Sequence, residues 1–146
     1  MNFRFGIRAF LKKERLLFMA NLITLEDLKN LAESFVKREP ERLGAAGWWQ
    51  SLLVTAAPID ARFDQLTQIA ADDHLHPRDL LPTANSVIVF YLPFARELVQ
   101  ENKNGPWPCR TWGVAYVQTN DLIERLGRTL SQFLLENVDR GIPMPC

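Results

Sequence analysis

The side chains able to do chemistry are few and lie far apart. Asp72-Asp73-His74-Leu75-His76-Pro77 places two imidazoles beside two carboxylates, and both groups ligate borderline or hard cations. On a strand, His74 and His76 would share a face, whereas Pro77 and the acidic flank suit a solvent-exposed connector. Cys109 and Cys146 are the only cysteines, and neither belongs to a Cys-x-x-Cys pair. Reduced thiols in a cytoplasmic protein are the simpler reading. Asp121 and Glu124 precede an apolar helical run, where negative charge meets the positive end of a helix. Trp107 lies in the Gly- and Pro-containing stretch 102–108, a surface loop that could carry a binding contact. No nucleophile elbow, phosphate loop or zinc signature is present, which argues against a self-contained hydrolase.

The element that must position these groups is the run Val87-Ile88-Val89-Phe90-Tyr91, bracketed by Pro82 and Pro93. β-Branched and aromatic residues suit a pleated, packed surface, and the prolines stop the ladder at either side. Absence of polar alternation predicts a central strand covered on both faces. Thr24-Leu25-Glu26-Asp27 forms a capping box before Leu28, Leu31, Ala32, Phe35 and Val36, so a helix begins there, with one face on the body. Arg38-Glu39-Pro40 is expected to close it. Adjacent Trp48 and Trp49 read as packing anchors, with a short strand following around Leu52–Val54. A helix capped by Asp60 is expected to run to Ala71, with Phe63, Leu66 and Ile69 inward. Ala95 to Glu101 allows two further turns, and Asn120 to about Asn137 is the last helix, with Leu122, Ile123, Leu126, Leu130, Phe133 and Leu134 as its stripe. The predicted fold is an α/β domain, with α+β as the alternative, built on a mixed sheet around Val87–Tyr91 and flanked by helices.

A chain of 146 residues, 47% hydrophobic, fits one domain with a substantial core. Seventeen basic and seventeen acidic residues cancel, leaving no global field for nucleic acid or an anionic membrane. No apolar run reaches the roughly 20 residues that span a bilayer. Residues 1–18 differ from the rest: Arg4, Arg8, Lys12, Lys13 and Arg15 alternate with Phe3, Phe5, Ile7, Phe10 and Leu11. They read as a basic amphipathic helix for a membrane surface or partner, as a poor secretory signal, or as sequence upstream of a start at Met19, which leads directly into the Thr24 cap. The third reading is preferred, leaving 19–146 as the domain.

Taken in order, Phe63-x-x-Leu66, His74-x-x-Pro77, Leu80-Leu81-Pro82-x-Ala84-x-Ser86-Val87-Ile88-Val89, Leu92-Pro93-Phe94, Trp112, and Tyr116 with Thr119-Asn120 resemble the amino-terminal part of the epoxyqueuosine-reductase-like iron-sulfur proteins. The likeness covers roughly residues 58 to 142. It implies a cobalamin and substrate pocket, with electrons delivered through two 4Fe-4S clusters. Leu92, Pro93, Phe94, Trp107, Trp112 and Tyr116 would line the cobalamin side, and Asp121 would correspond to the family's proton donor. Asn120-Asp121-Leu122-Ile123 stands where those reductases have Arg-Asp-Tyr-His, so only the aspartate matches and epoxyqueuosine itself is disfavoured as substrate. Four-iron clusters take four thiolates each, so two cysteines cannot supply one. The resemblance therefore implies a truncated piece, not catalytic alone, relying on a carboxyl-terminal ferredoxin-like portion or another electron donor. A stand-alone protein-interaction domain using Trp48, Trp49 and Trp107 is the alternative, and self-association stays open.

Overall fold

The computed structural model describes the backbone of residues 8–11, and residues 23–45 and 47–137. In chain order the elements are strand β1 (Arg8–Leu11), helix α1 (Leu25–Leu43), strand β2 (Leu53–Pro58), a 3-10 turn (Phe63–Gln65), short helices α2 (Leu66–Ile69) and α3 (Pro77–Leu80), strand β3 (Ser86–Tyr91), helix α4 (Arg96–Lys103) and helix α5 (Arg110–Asn137). The expected combination of helices with a sheet centred on Val87–Tyr91 is present. β3 lies between β1 and β2, and both ladders are antiparallel, which is the α+β form of the expectation.

Alternation along β3 divides the core. Ile88 and Phe90, continued by Leu92, face a cluster with Leu28, Ala32 and Val36 of α1 and Leu122, Leu126, Leu130 and Leu134 of α5. Val87 faces the other way, onto Ile59, Leu81 and Ala84, with Val89 packed against them. Both faces of the central strand are thus covered. Full burial of one such side chain contributes roughly 1.5–3 kcal/mol, so the first and larger cluster dominates.

Four sequence expectations change. Arg8–Leu11 is a strand, not part of an amphipathic helix, and forms the ladder along the second edge of β3; the rest of 1–18 falls outside the described residues. Helix α1 does not stop at Pro40: it continues to Leu43 and ends at Gly44. Proline lacks the N–H that would reach back one turn and its ring crowds the carbonyl there, yet Pro40 sits in the final turn, where its own carbonyl still accepts from Gly44 N–H. Gly44, at φ 62°, adopts the left-handed conformation that ends helices and that glycine enters without a Cβ penalty. The helix expected over 60–71 reduces to a 3-10 turn and one turn of α2. Its apolar stripe finds little to pack on, and Ile69 remains 73% exposed. Finally, α5 begins at Arg110, ten residues before the expected Asn120.

One long-range polar contact joins the two core helices. Glu39 of α1 is only 5% exposed and accepts from Arg125 of α5 at 2.9 and 2.6 Å and from Arg42 at 3.0 Å. Arg125 also lies over the Phe35 ring, 5.6 Å from its centre. The Arg125 hydrogen bonds hold the Glu39 carboxyl well below its ordinary value, at about 2, against the opposing effect of burial. A carboxyl with a depressed folded-state pKa stabilises above its unfolded value of 4.5, and that stabilisation is lost as pH falls toward 2. Arg125→Ala, which leaves the buried carboxylate only its Arg42 partner, is expected to cost about 2 kcal/mol near neutral pH. Urea melts between pH 7 and 2 check both points: the variant should lose less stability on acidification than the parent. Equal stability of the two proteins at pH 7 would show that the contact is energetically idle.

Candidate functional site

Residues named from the sequence for the cofactor side gather, for the most part, where β3 runs out and α5 begins. Leu92 is buried in the core. Pro93 and Phe94 continue the sheet as a bridge to the segment before β2: Gln50 N–H donates to the Pro93 carbonyl at 2.9 Å, Ala95 N–H donates to the Trp48 carbonyl at 2.7 Å, and Trp49 pairs with Phe94. The Gln50 side-chain amide adds a bond to the Phe94 carbonyl at 2.9 Å. These bonds fix the Phe94 ring against Trp112 of α5, with centres 4.9 Å apart and planes tilted by 49°. Trp48 and Trp49 meet edge to face at 5.9 Å.

Helix α5 reaches this end because its first turn is held from below. Asn102 Oδ1 accepts from Cys109 N–H at 3.0 Å, and Cys109 then accepts from Trp112 N–H through its sulfur (3.4 Å) and from Gly113 N–H through its carbonyl (3.1 Å). One turn beyond Trp112 lies Tyr116, on a neighbouring face of the helix and 41% exposed. Thr119 is buried and donates to the Ala115 carbonyl at 2.6 Å while its oxygen accepts from the Trp49 indole N–H at 2.8 Å. Trp48 and Trp49 are half-buried, as packing anchors should be. Trp107, on the α4–α5 loop, is 81% exposed. Val114 and Val117 add exposed apolar surface on the first turns of α5.

Asp121 stands apart from this cluster. Nine residues at about 100° each put it on the opposite side of α5 from Trp112. It lies in the fourth turn of that helix, not at its start, so the expected interaction with the helix dipole is absent. Its carboxylate instead accepts from Arg125 Nε at 2.8 Å and lies 3.8 Å from Arg42, which makes it a member of the Glu39 network. That network was not visible in the sequence, since nothing local links Glu39 to Arg125.

The His-x-His segment serves α3. His76 Nδ1 accepts from Arg78 N–H at 3.1 Å, while Asp79 accepts from His76 N–H at 2.8 Å, a capping box with Pro77 at the first helical position. His76 Nε2 is 3.5 Å from Asp64, and both imidazoles are half-buried rather than on an open connector. Among the described residues no group of three or more His, Cys, Asp or Glu is placed to hold a metal ion, and no helix is long and apolar enough to cross a membrane. Cys146 lies outside the described residues.

No family model matches the chain, and neither a curated protein nor a solved structure matches it. The Trp49–Thr119 bond is what ties the segment before β2 to α5. Thr119→Val keeps the shape but leaves the indole N–H without its acceptor, which should cost about 1–2 kcal/mol and speed hydrogen exchange of that N–H. Thr119→Ser should restore most of both; an unchanged exchange rate in the valine variant would rule the bond out as the tie.

Proposed function

We propose that this domain is the pocket-forming, non-catalytic part of an epoxyqueuosine-reductase-like redox protein, with Phe94, Trp112 and Tyr116 forming one wall of a corrinoid site. The supporting observation is the gathering of Leu92–Phe94 with Trp112, and Tyr116 one helical turn on, where β3 runs out and α5 begins. The donor set fits such a group on its apolar side. Aromatic faces can pack on a large flat ring, and the partly exposed Tyr116 hydroxyl can meet a polar substituent at its rim. Bound cobalamin would supply the electron-transfer chemistry. The residues of this chain would orient it and exclude water from one side.

The 4Fe-4S centres do not fit here, because the sequence holds two cysteines and Cys109 is engaged at the start of α5. Electrons would come from a ferredoxin-like portion or a separate donor. Asp121 is not retained as the acid of this site, since its carboxylate faces Arg125 on the far side of the helix. A second reading, a protein-interaction domain, draws on the exposure of Trp107, Val114, Tyr116 and Val117.

Titration with hydroxocobalamin, followed by its visible spectrum, distinguishes the two. The parent protein should bind, and Trp112→Ala should weaken binding about tenfold or more, the loss of one stacking partner of roughly 1.5 kcal/mol. A folded variant that binds as tightly as the parent would remove Trp112 from the wall. Absence of any spectral change with the parent would leave the interaction-domain reading.

A further inference from the structure

Among the described residues, the outer edge of β2 carries backbone groups with no bonded partner. Ile59 N–H donates to the Asn85 carbonyl at 2.9 Å, one step beyond the Pro58–Ser86 pair of the ladder. Bonded and non-bonded pairs alternate in an antiparallel ladder. Ala57, Thr55 and Leu53 therefore turn their peptide groups toward β3, and Val54 and Ala56 turn theirs outward. Pro58 also faces outward but has no N–H. Among the described residues, none bonds to the outward groups of Val54 and Ala56.

Along most of its length this edge is also unguarded. Pro58 blocks only its far end; Leu-Val-Thr-Ala-Ala carries no charge, and charged side chains are a usual protection against edge pairing. Leu53 is 58% exposed, and Thr55 and Ala56 are exposed as well. A shallow groove of about 530 Å³ follows the edge, lined by Lys29 and Glu33 of α1, by Leu53 and Thr55, and by Val89 and Tyr91 of β3.

We propose that two copies of this chain pair antiparallel through β2 about a two-fold axis at Thr55, joining the three strands of each into one continuous sheet. In this register Val54 of one copy exchanges both N–H···O bonds with Ala56 of the second, and the reverse pair does the same. Every outward N–H of Val54 and Ala56 is then satisfied. A register centred on Ala56 would set Val54 against Pro58, which has no N–H to give. Thr55 faces Thr55 of the second copy as a non-bonded pair, the arrangement in which side chains approach most closely.

Charge favours the same occupant. Lys29 and Glu33 lie one turn apart on α1, and a two-fold axis reverses their order, turning each toward its opposite in the second copy. Their own partners, Glu26 at 3.8 Å and Lys37 at 3.9 Å, are exposed surface pairs of little energetic weight, so rearrangement costs little. With balanced formal charge, the copies do not repel one another at long range.

Sedimentation equilibrium of the full 146-residue chain tests this. The parent should show a monomer–dimer equilibrium. Thr55→Lys places two ammonium groups face to face on the axis, and Ala56→Pro removes an outward N–H at an edge position that tolerates proline. Each should raise the dimer Kd about tenfold or more while leaving the circular-dichroism spectrum unchanged. Lys29→Glu should weaken the dimer, and Lys29→Glu with Glu33→Lys should restore it. A parent that stays monomeric at millimolar concentration, or a dimer indifferent to Thr55→Lys, would overturn the proposal. Should Ala56→Pro fail to fold, the exposed Thr55→Lys variant decides alone.

Discussion

A sheet of three short strands cannot bury its own apolar face, and the fold depends on how that face is closed. Ile88, Phe90 and Leu92 need two helices above them, and α1 and α5 come from opposite ends of the described chain. The helices meet through complementary stripes, Leu28, Ala32 and Val36 on one and Leu122, Leu126, Leu130 and Leu134 on the other. Burial is non-directional and does not by itself set the register of one helix against the other. The Glu39–Arg125 pair supplies direction, since a carboxylate taken out of water must meet its guanidinium in a narrow range of geometries. The stripe drives the helices together, and the ion pair selects how they sit.

That choice also decides the chemistry of α5. One side of its first half carries Trp112 toward Phe94 and the end of the sheet, and the opposite side carries Asp121 toward Arg125. The helix thus separates an aromatic surface from an exposed acidic group paired with Arg125. An aspartate in an apolar, periodic context looks chemically promising when read linearly. Its actual partner, four residues on, is a cation already shared with a buried glutamate, and this makes it structural.

What the sequence disclosed was local. β-Branched residues between prolines identified the central strand to within one residue, because a strand buried on both faces needs no polar alternation. The Thr24–Asp27 capping box was legible because cap and acid satisfy each other across three residues. The first ten residues of α5 were hidden by Gly113, Val114, Val117 and Thr119, all weak helix formers; the spacing Trp112, Ala115, Thr119, Leu122 was the available signal that they continue the buried stripe. Proline at position 40 masked the end of α1, since its cost falls on the single carbonyl one turn back and the helix continues three residues beyond it. The helix expected over 60–71 failed for the converse reason: periodicity was present, but only Phe63 found a core cluster to pack on, and Ile69 stayed exposed. The gathering of Phe94 and Trp112 rests on bonds between segments distant in sequence, which spacing alone does not encode.

Helix α5 closes the core and is the last described element in the chain, and this sets the order of events during synthesis. Domains tend to acquire structure from the amino terminus as the polypeptide emerges, yet here Ile88 and Phe90 are translated well before Leu126, Leu130 and Leu134 exist to cover them. A nascent chain paused between β3 and the middle of α5 holds a strand of unbroken apolar character with its principal cover still inside the ribosome. The unguarded β2 edge lies beside it at that moment. Until the stretch up to residue 134 has emerged, the face formed by Ile88, Phe90 and Leu92 lacks its α5 cover.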